Sequence, residues 1–160
     1  MLVKIYTYSN IKSIRPKEGV GLYILCAEIG GREATLQGEV RFRENPQGKA
    51  QYQKATANVS ELIVNLSAIE RFTNKCDSLE IYTDSSWFAA GWDAGWLDKW
   101  KNNGWKNNKG EPVAHMEEWQ AIDKKLTELN IRPVFHLMEH HPYKKWFEHE
   151  MELIEEKEDE

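Results

Sequence analysis

The chain has 160 residues, of which 41% are apolar and 29% charged, a balance that suits one folded domain and excludes extensive disorder. Its formal net charge of −5 is unevenly distributed, because residues 148–160 hold eight of the 26 acidic side chains. Residues 1–147 carry a net charge of +2, which permits binding to nucleic acid through a local patch. We predict a single domain over residues 1–160 that ends in an acidic helix or tail over residues 148–160.

Neither a membrane span nor a secretory signal is expected. The longest apolar run, Val20 to Ala27, is far shorter than the ~20 residues that cross a bilayer. The first ten residues lack the charged start, long apolar middle and cleavage site of a secretory signal, so we expect a cytoplasmic protein. In a reducing compartment, Cys26 and Cys76 are expected to be small buried side chains and not a disulfide.

Alternating apolar and polar residues predict three strands in the first part of the chain, over residues 2–7, 19–29 and 33–42. Gly30 and Gly31 separate the second strand from the third, which indicates an antiparallel hairpin. Residues 43–55 are polar and contain Pro46 and Gly48, which is typical of a loop. A helix is predicted over residues 58–72, with an apolar face formed by Leu62, Leu66, Ile69 and Phe72.

Strands and helices alternate in the rest of the chain. Strands are predicted over residues 79–83 and 131–138, and Pro133 places the second of them at a sheet edge. Four aromatic residues spaced four apart predict one helix after the first of these strands: Phe88, Trp92, Trp96 and Trp100. Further helices are predicted over residues 115–129 and 143–157, the last with Phe147, Met151 and Ile154 inward. This order is typical of an α/β fold whose mixed sheet is covered by helices on both faces.

Three acidic residues are candidates for a site, although each has an ordinary structural explanation. Asp84 ends a strand and begins a helix, where ligands collect in α/β sheets but where a carboxylate is more often a helix cap. Asn58 and Glu61 have the spacing of a capping box. Glu148 lies on the terminal helix among many other acids, where a solvated face is the usual arrangement. Taken singly, none of them indicates a site.

A basic segment with tryptophans separates two of the predicted helices. Between Lys99 and Gly110 the chain has no acidic residue, and lysines alternate with Trp100 and Trp105. The lysines are Lys99, Lys101, Lys106 and Lys109. Such a patch can neutralise phosphates while the tryptophans pack on sugar or on the neighbouring chain. An ordinary solvated loop anchored by core tryptophans explains the pattern equally well.

Residues 81–126 resemble the type I ribonuclease H family. The motifs TDS, W-x-x-x-W, GWK, PV and W-Q-x-x-D occur here in the family's order and almost without gaps. Weaker similarities extend to the first strand (IYT), the hairpin (GGREATLQGEV) and the first helix (NVSEL). The resemblance implies a five-stranded mixed sheet, an antiparallel meander followed by parallel strands, with helices on both faces. It also implies a metal-dependent endonuclease whose partner is an RNA–DNA hybrid and which cuts the RNA strand.

The resemblance implies an active site of four carboxylates that bind two Mg²⁺ or Mn²⁺ ions. Glu61 and Asp84 match the second and third of these ligands. The fourth matches Glu148 or, with a shift of one residue, His149. At the first position the family has an aspartate where this chain has Tyr8, and a phenol is neutral at pH 7. The first, usually bridging, ligand is therefore missing.

Other residues correspond to groups that bind the substrate or assist catalysis. His140 or His141 takes the place of the family's mobile histidine, and Glu139 is near enough in sequence to lend a carboxylate. Asn58 matches an asparagine that helps to read the 2′-hydroxyl of the RNA strand. The basic segment matches the family's basic protrusion, which assigns substrate binding to Lys99, Lys101, Trp105, Lys106 and Lys109.

Three functions compete for these residues. A ribonuclease H that acts on hybrids is favoured by Glu61, Asp84, Asn58 and the basic segment. A module that binds nucleic acid without catalysis is favoured by Tyr8. A protein-interaction module would use the acidic tail and exposed tryptophans as its surface. We predict a ribonuclease H by family whose cleavage of hybrids is impaired.

Overall fold

The structure is a computed structural model that describes residues 1–71, 76–138 and 140–158. These residues form one sheet of six strands together with five helices. The strands are β1 (Leu2–Ser9), β2 (Gly19–Ile29), β3 (Arg32–Arg43), β4 (Gln51–Gln53), β5 (Ser78–Thr83) and β6 (Val134–Leu137). The helices are α1 (Ala57–Ile69), α2 (Ser86–Asp93), α3 (Trp96–Asn102), α4 (Met116–Leu129) and α5 (Lys144–Glu158). None of the helices in these ranges has the length and apolar character that a membrane crossing requires.

The sheet is mixed, as predicted, with the strand order β4-β3-β2-β1-β5-β6. β1, β2 and β3 form an antiparallel meander, while β1, β5 and β6 run parallel to one another. The prediction of five strands is wrong by one, because β4 pairs in parallel with the end of β3 inside the segment predicted as a loop. Three residues are too few to show an alternating pattern, and β4 has a single hydrophobic residue, Tyr52, which packs against the core.

Helices cover both faces of the sheet, as predicted. On one face α1, α2 and α4 enclose a core that contains Ile5 of β1. On the other face α5 places Phe147 against β1 and β2. Successive residues of a strand point to opposite faces, so Tyr6 belongs to this second core. Cys26 lies in the second core and Cys76 in the first, and both are buried free thiols, as predicted.

The far end of α5 is fixed at β3, two strands away from β1. Glu158 accepts hydrogen bonds from the guanidinium groups of Arg41 (2.5 Å) and Arg43 (2.6 Å). Closer to the middle of the helix, Nδ2 of Asn10 donates a hydrogen bond to Glu155 (3.2 Å). The acidic segment is therefore helical as far as Glu158, and its last turn lies beside arginines of the sheet.

Two predicted helices differ from the observed ones. α1 ends before Phe72, which lies outside the described residues. The single helix predicted through Trp100 is two helices, because Gly95 between them has a left-handed backbone (φ 74°) that a continuous helix excludes. The aromatic spacing spans the break because both helices direct a tryptophan at Trp119. Its ring centroid lies 6.0 Å from that of Trp92 and 5.4 Å from that of Trp100.

α1 lies in direct contact with β2 at a glycine. A Cβ atom at Gly21 would be 2.2 Å from Cγ2 of the fully buried Val64. The absence of a side chain on the strand therefore lets the helix approach the sheet closely. The same approach brings Glu61, three residues earlier on α1, down to the sheet.

Adding a methyl group at this contact should destabilise the fold. We expect Gly21→Ala to lower the free energy of unfolding by about 1–3 kcal/mol, the usual effect of overpacking a core. In the double variant Gly21→Ala/Val64→Ala the clash is gone, so its loss of stability should be smaller than the sum of the two single losses. Urea unfolding of the four proteins measures this coupling. Strictly additive losses would contradict the close contact.

Candidate functional site

The carboxyl ends of β1 and β5 lie side by side and border a cavity of about 220 Å³. Both strands contain the sequence Ile-Tyr-Thr, and the two copies pair in register, with Ile5 opposite Ile81. Tyr8 and Asp84 follow at equivalent positions of the two strands. Side chains from several elements line the cavity, among them Tyr8, Lys12, Glu61, Asp84, His141, Lys144 and Glu148.

Glu61 is buried in the cavity wall, 5% exposed, and joins three elements of the fold. Its Oε1 atom accepts hydrogen bonds from Oγ1 of Thr7 on β1, from Oγ1 of Thr83 on β5 (2.7 Å) and from Nδ2 of Asn65 on α1 (3.3 Å). Burial raises the pKa of Glu61, and nearby Asp84 raises it further, while the three hydrogen bonds lower it. The three hydrogen bonds therefore fix the carboxyl group in position, although its burial removes the water that would solvate the negative charge.

Glu61 and Asp84 do not cap helices, so the capping explanations for both are wrong. The cap of α1 is Thr56, whose Oγ1 accepts a hydrogen bond from the first turn (3.2 Å). The cap of α2 is Ser85, whose Oγ accepts a hydrogen bond from the N–H of Phe88 (3.1 Å). Asn58 is exposed, and its Oδ1 accepts a hydrogen bond from the hydroxyl of Ser85 (3.3 Å), which ties the starts of α1 and α2 together. Asp84 is exposed beside this cap and lines the cavity.

Tyr8 lies at the position where the family resemblance places an aspartate, and its ring packs on α5. The ring stacks on Phe147 with the centroids 6.1 Å apart, and Nζ of Lys12 lies 4.7 Å from the Tyr8 centroid. Burial raises the pKa of Tyr8, and the charge of Glu148 raises it further. The hydroxyl is therefore protonated at neutral pH, and the residue supplies an aromatic contact instead of a negative charge.

α5 brings both a carboxylate and an ammonium group to the cavity. Lys144 is the first residue of the helix, and its Nζ lies 4.0 Å from Oε1 of Glu148, one turn later. The side chain of Lys144 is 17% exposed and that of Glu148 is 47% exposed. His149, the alternative to Glu148 in the family resemblance, is exposed and lies outside the cavity lining.

His141 lines the cavity and is held by its surroundings. Its ring centroid lies 5.6 Å from that of Phe147, and its Nδ1 accepts a hydrogen bond from the N–H of Tyr143 (3.2 Å). Burial lowers the pKa of His141, so the ring is neutral at pH 7. His140 is exposed and lies outside the cavity lining. Glu139, predicted as a further source of a carboxylate, lies outside the described residues.

The part of the chain that the structure describes contains no group of three or more His, Cys, Asp or Glu side chains placed to hold a metal ion. Glu61, Asp84 and Glu148 line one cavity without converging as a ready set of ligands. A single cation held by Glu61 and Asp84, with water completing its shell, fits the chemistry of these donors and suits Mg²⁺. Two close cations do not fit, because Tyr8 supplies no charge while Lys12 and Lys144 bring positive charge into the cavity.

A second cavity, of about 760 Å³, forms a groove beside the basic segment. Its lining includes Trp87, Trp96, Lys99, Trp100 and Lys106. Trp87 belongs to the first turn of α2, three residues after Asp84. The groove and the carboxylate cavity therefore lie at the same end of α2.

The predicted substrate-binding residues of the basic segment divide into two sets. Lys99 and Lys106 line the groove. Nζ of Lys101 instead pairs with Asp123 of α4 at 2.6 Å, beside a different cavity. Trp105 and Lys109 also lie outside the groove lining, and Trp105 is half-buried against the aromatic core.

The sequence prediction misses Thr7, Lys12, Thr83 and Lys144, which line the carboxylate cavity, and Asn65, which donates a hydrogen bond to Glu61. A signal existed for the two threonines, because in-register copies of Ile-Tyr-Thr on neighbouring parallel strands place them side by side. Another existed for Asn65, a polar residue one turn after Glu61 on a buried helix face. Lys12 reaches the cavity from the loop after β1 and Lys144 from the first residue of α5, and no local pattern predicts where the loops before these residues run.

Comparisons with known proteins link the chain to ribonucleases H. A family model described as RNase H matches residues 19–141, a range that includes Glu61, Asp84 and the basic segment but neither Tyr8 nor Glu148. A protein named Ribonuclease H from Legionella pneumophila (strain Corby) is 33% identical over 131 residues, which are 82% of this chain and 80% of the relative.

Two solved structures share the fold. LC9-RNase H1, described as a type 1 RNase H with the type 2 active-site motif, matches with a TM-score of 0.65 at 16% identity, over 92% of this chain and 69% of its own. A foamy viral protease-reverse transcriptase in complex with an RNA/DNA hybrid matches with a TM-score of 0.59 at 18% identity, over 84% of this chain and 17% of its own.

The buried carboxyl group of Glu61 predicts a dependence of stability on pH. Its raised pKa means that the folded protein binds a proton here more tightly than the unfolded chain does. Stability should therefore fall as the pH rises from the unfolded pKa of about 4.3 through the raised folded value. Glu61→Gln cannot ionise and keeps an acceptor oxygen for the two threonines. Without divalent cations, its melting temperature should rise relative to wild type as the pH increases from 4 to 8.

Thermal unfolding followed by circular dichroism across this pH range measures the difference. Glu70→Gln, at the exposed end of the same helix, is the matched control for the loss of one carboxyl group. A difference between Glu61→Gln and wild type that stays constant at every pH would contradict the prediction.

Proposed function

The chain belongs to the ribonuclease H family, and we propose that it binds RNA–DNA hybrids and cleaves their RNA strand weakly, with the help of Mg²⁺ or Mn²⁺. The observation that carries the proposal is that Glu61 of α1 and Asp84 at the end of β5 line one cavity, next to a groove lined by tryptophan and lysine. The foamy viral protease-reverse transcriptase, of whose chain 17% matches this one, was solved in complex with an RNA/DNA hybrid, which supports the same class of partner here.

Binding in this proposal involves both cavities at the start of α2. Lys99 and Lys106 neutralise backbone phosphates in the groove, and the tryptophans beside them pack against sugar. Asn58, exposed at the start of α1, donates from its amide to the 2′-hydroxyl of the RNA strand, the group that separates RNA from DNA. The hydrogen bond from Ser85 occupies Oδ1 of Asn58, so Nδ2 is the group of this exposed side chain that would donate to the RNA.

Cleavage depends on how the protein holds its carboxylates. A divalent cation bound by Glu61 and Asp84 would supply the positive charge that polarises a phosphodiester and activates water. Thr7 and Thr83 fix Glu61 for this purpose, and Glu148 offers a third carboxylate from the opposite side of the cavity.

The two histidines have different roles in this proposal. Nδ1 of His141 accepts from the backbone of Tyr143, and the ring also bonds to the backbone of Thr7. His141 therefore holds the end of β1 against the start of α5 and does not transfer protons. We assign the exchange of a proton with a leaving group to His140, which is exposed in the same loop.

A second function, hybrid binding without turnover, is favoured by one specific observation. Tyr8 removes a negative charge from the cavity, and Lys12 and Lys144 add two positive charges. Incubation of a labelled hybrid with Mg²⁺ or Mn²⁺, followed by gel electrophoresis, separates the two functions. Slow appearance of shortened RNA supports the enzyme, whereas binding without any cleavage in either metal selects the binding module.

The groove predicts which lysines matter for hybrid binding. Lys99→Ala/Lys106→Ala should weaken binding and reduce the slope of log affinity against log salt by up to about 0.9 for each phosphate that is no longer neutralised. Lys101→Ala/Lys109→Ala removes the same charge outside the groove and should change the slope less. Fluorescence anisotropy with a labelled hybrid over a range of salt concentrations measures both. Equal slopes for the two double variants would exclude the groove as the contact surface.

Restoring a carboxylate at position 8 should raise hybrid cleavage. Tyr8→Asp supplies the missing negative charge, at a cost of about 1–2 kcal/mol in stability for the half-buried ring. Tyr8→Phe keeps the ring contact with Phe147 and should leave cleavage unchanged. Adding Asp84→Asn to Tyr8→Asp should abolish the gain.

Cleavage rates are compared at equal folded fraction in Mg²⁺ and in Mn²⁺. Rapid cleavage by wild type that Tyr8→Asp fails to improve would show that another group already completes the site. The melting temperature with and without metal provides a second readout, since a bound cation stabilises the folded state.

A further inference from the structure

The groove beside the basic segment has more kinds of side chain than the binding of backbone phosphates requires. Its described lining consists of three tryptophans, two lysines and four asparagines, with no acidic residue among them. Lysines are enough to neutralise phosphates. Indole rings and amide groups are the side chains that contact the faces and edges of nucleobases.

Helix α3 separates its charged side chains between two cavities. The side that faces the groove has Trp96, Lys99 and Trp100, at the spacing of three and four residues that shares a helix face. Asp98, the one acidic residue of α3, lies with Lys101 beside the other cavity. The groove side of the helix therefore presents positive charge without a carboxylate, which is complementary to a polyanion.

The tryptophans of the groove are packed from the core side. Trp119 is fully buried, and its ring centroid lies 5.3 Å from that of Trp87 and 5.4 Å from that of Trp100. Within the described residues, the ring of Trp96 has a single aromatic neighbour, Trp100, at 5.9 Å. The three tryptophans of the groove are each partly exposed. An indole ring that is held in place and partly exposed is a surface on which a base can stack.

The four asparagines of the groove have two different roles. Nδ2 of Asn103 donates to a backbone carbonyl (2.9 Å), and Oδ1 of Asn107 accepts from two backbone N–H groups (2.9 and 3.0 Å), so these two shape the turn after α3. Asn102 and Asn108 are exposed, and their amides form no hydrogen bond with the rest of the described chain. Each of these amides offers a donor beside an acceptor, which matches the edge of a base.

Unpaired nucleotides provide partners for these side chains that a duplex lacks. Within a duplex each base is stacked on its neighbours and its pairing edge is occupied, whereas a single strand presents base faces and edges together. The groove volume of about 760 Å³ lies within the ~300–1,000 Å³ of sites that enclose a small molecule, which suits a base with its sugar. Lys99 and Lys106 then contact the phosphates of the same strand.

We propose that the groove binds unpaired nucleotides where a strand continues beyond the end of a hybrid. A base of this strand stacks on Trp96, and the amide of Asn102 or Asn108 bonds to its edge. The inference rests on the proposed function, because the hybrid at the carboxylate cavity supplies the strand, and both cavities lie at the same end of α2. A hybrid with a single-stranded extension is then a better ligand than a blunt hybrid.

The test compares single-stranded DNA with a strand of the same length that lacks its bases. The abasic strand keeps every phosphate, so only contacts to the bases distinguish the two ligands. Fluorescence anisotropy in EDTA should show that wild type binds the strand with bases about tenfold more tightly than the abasic strand. Tryptophan emission should be quenched by the strand with bases and not by the abasic strand.

Variants of the groove identify the side chains responsible. Trp96→Leu should lose most of the preference for bases and bind the abasic strand as wild type does. Asn102→Ala/Asn108→Ala should reduce the preference by about threefold, the effect of a lost hydrogen bond. Trp146→Leu removes a tryptophan of α5 that lies outside the groove lining, and it should keep the full preference. A general loss of folded protein lowers both affinities and leaves their ratio unchanged. If Trp96→Leu does not fold, the exposed asparagine pair and the quenching of wild type decide the test.

A second arm joins the single strand to a hybrid. A hybrid whose DNA strand extends by ~6 unpaired nucleotides should bind about tenfold more tightly than the same hybrid with an abasic extension. Equal affinities for extensions with and without bases overturn the proposal, as does a preference that Trp96→Leu retains. Binding and cleavage of the blunt hybrid in the presence of either result leave the proposed function intact. A wild type that prefers bases in a free strand but binds no hybrid, blunt or extended, overturns the proposed function and with it the place of the groove at a hybrid end.

Discussion

A single carboxylate oxygen, Oε1 of Glu61, connects the helix and the two strands on which the site depends. It accepts from threonines of β1 and β5 and from Asn65 of α1, so the strand ends and the helix have one relative position. An ionised carboxyl group that is 5% exposed is costly, and the donors offset only part of that cost. The close contact between Gly21 and Val64 makes the arrangement possible, because it lets α1 descend far enough for the side chain to reach both threonines.

At Tyr8, by contrast with Glu61, the cavity wall has an aromatic contact and no charged group. A carboxylate at position 8 would stand close to Asp84 and add repulsion wherever no cation is bound. Tyr8 instead stacks on Phe147 and extends the contact between β1 and α5, which Tyr6 continues through Tyr143 with centroids 4.9 Å apart. The packing of Tyr8 therefore needs no bound cation, and the residue contributes no negative charge to the cavity.

Much of the fold could be predicted because its signals are local. Strand alternation and helical spacing give the element order, and the element order gives a mixed sheet with helices on both faces. β4 is too short to show an alternating pattern. The break at Gly95 could not be predicted from the aromatic spacing, because Trp92 of α2 and Trp100 of α3 both pack on Trp119 and so keep the spacing of a single helix. At the site, Glu61 and Asp84 could be predicted from strand ends and family resemblance. Lys12 and Lys144 could not, since loops and the packing of α5 decide where their ammonium groups lie.

The attachment of the last turn of α5 to β3 has a consequence at long range. Glu158 forms ion pairs with Arg41 and Arg43 of β3. α5 therefore carries the acidic end of the described chain away from the carboxyl ends of β1 and β5. Lys99 and Lys106 line the groove beside α3 instead, so we expect positive and negative charge to be separated on the molecular surface even though the net charge does not show it. A polyanion that diffuses towards the molecule experiences a torque before any contact forms, and it arrives more often with its backbone facing the lysines. Added salt shortens the reach of that field to about 10 Å at 0.1 M, so the rate of encounter should depend on ionic strength even where the final contacts do not change.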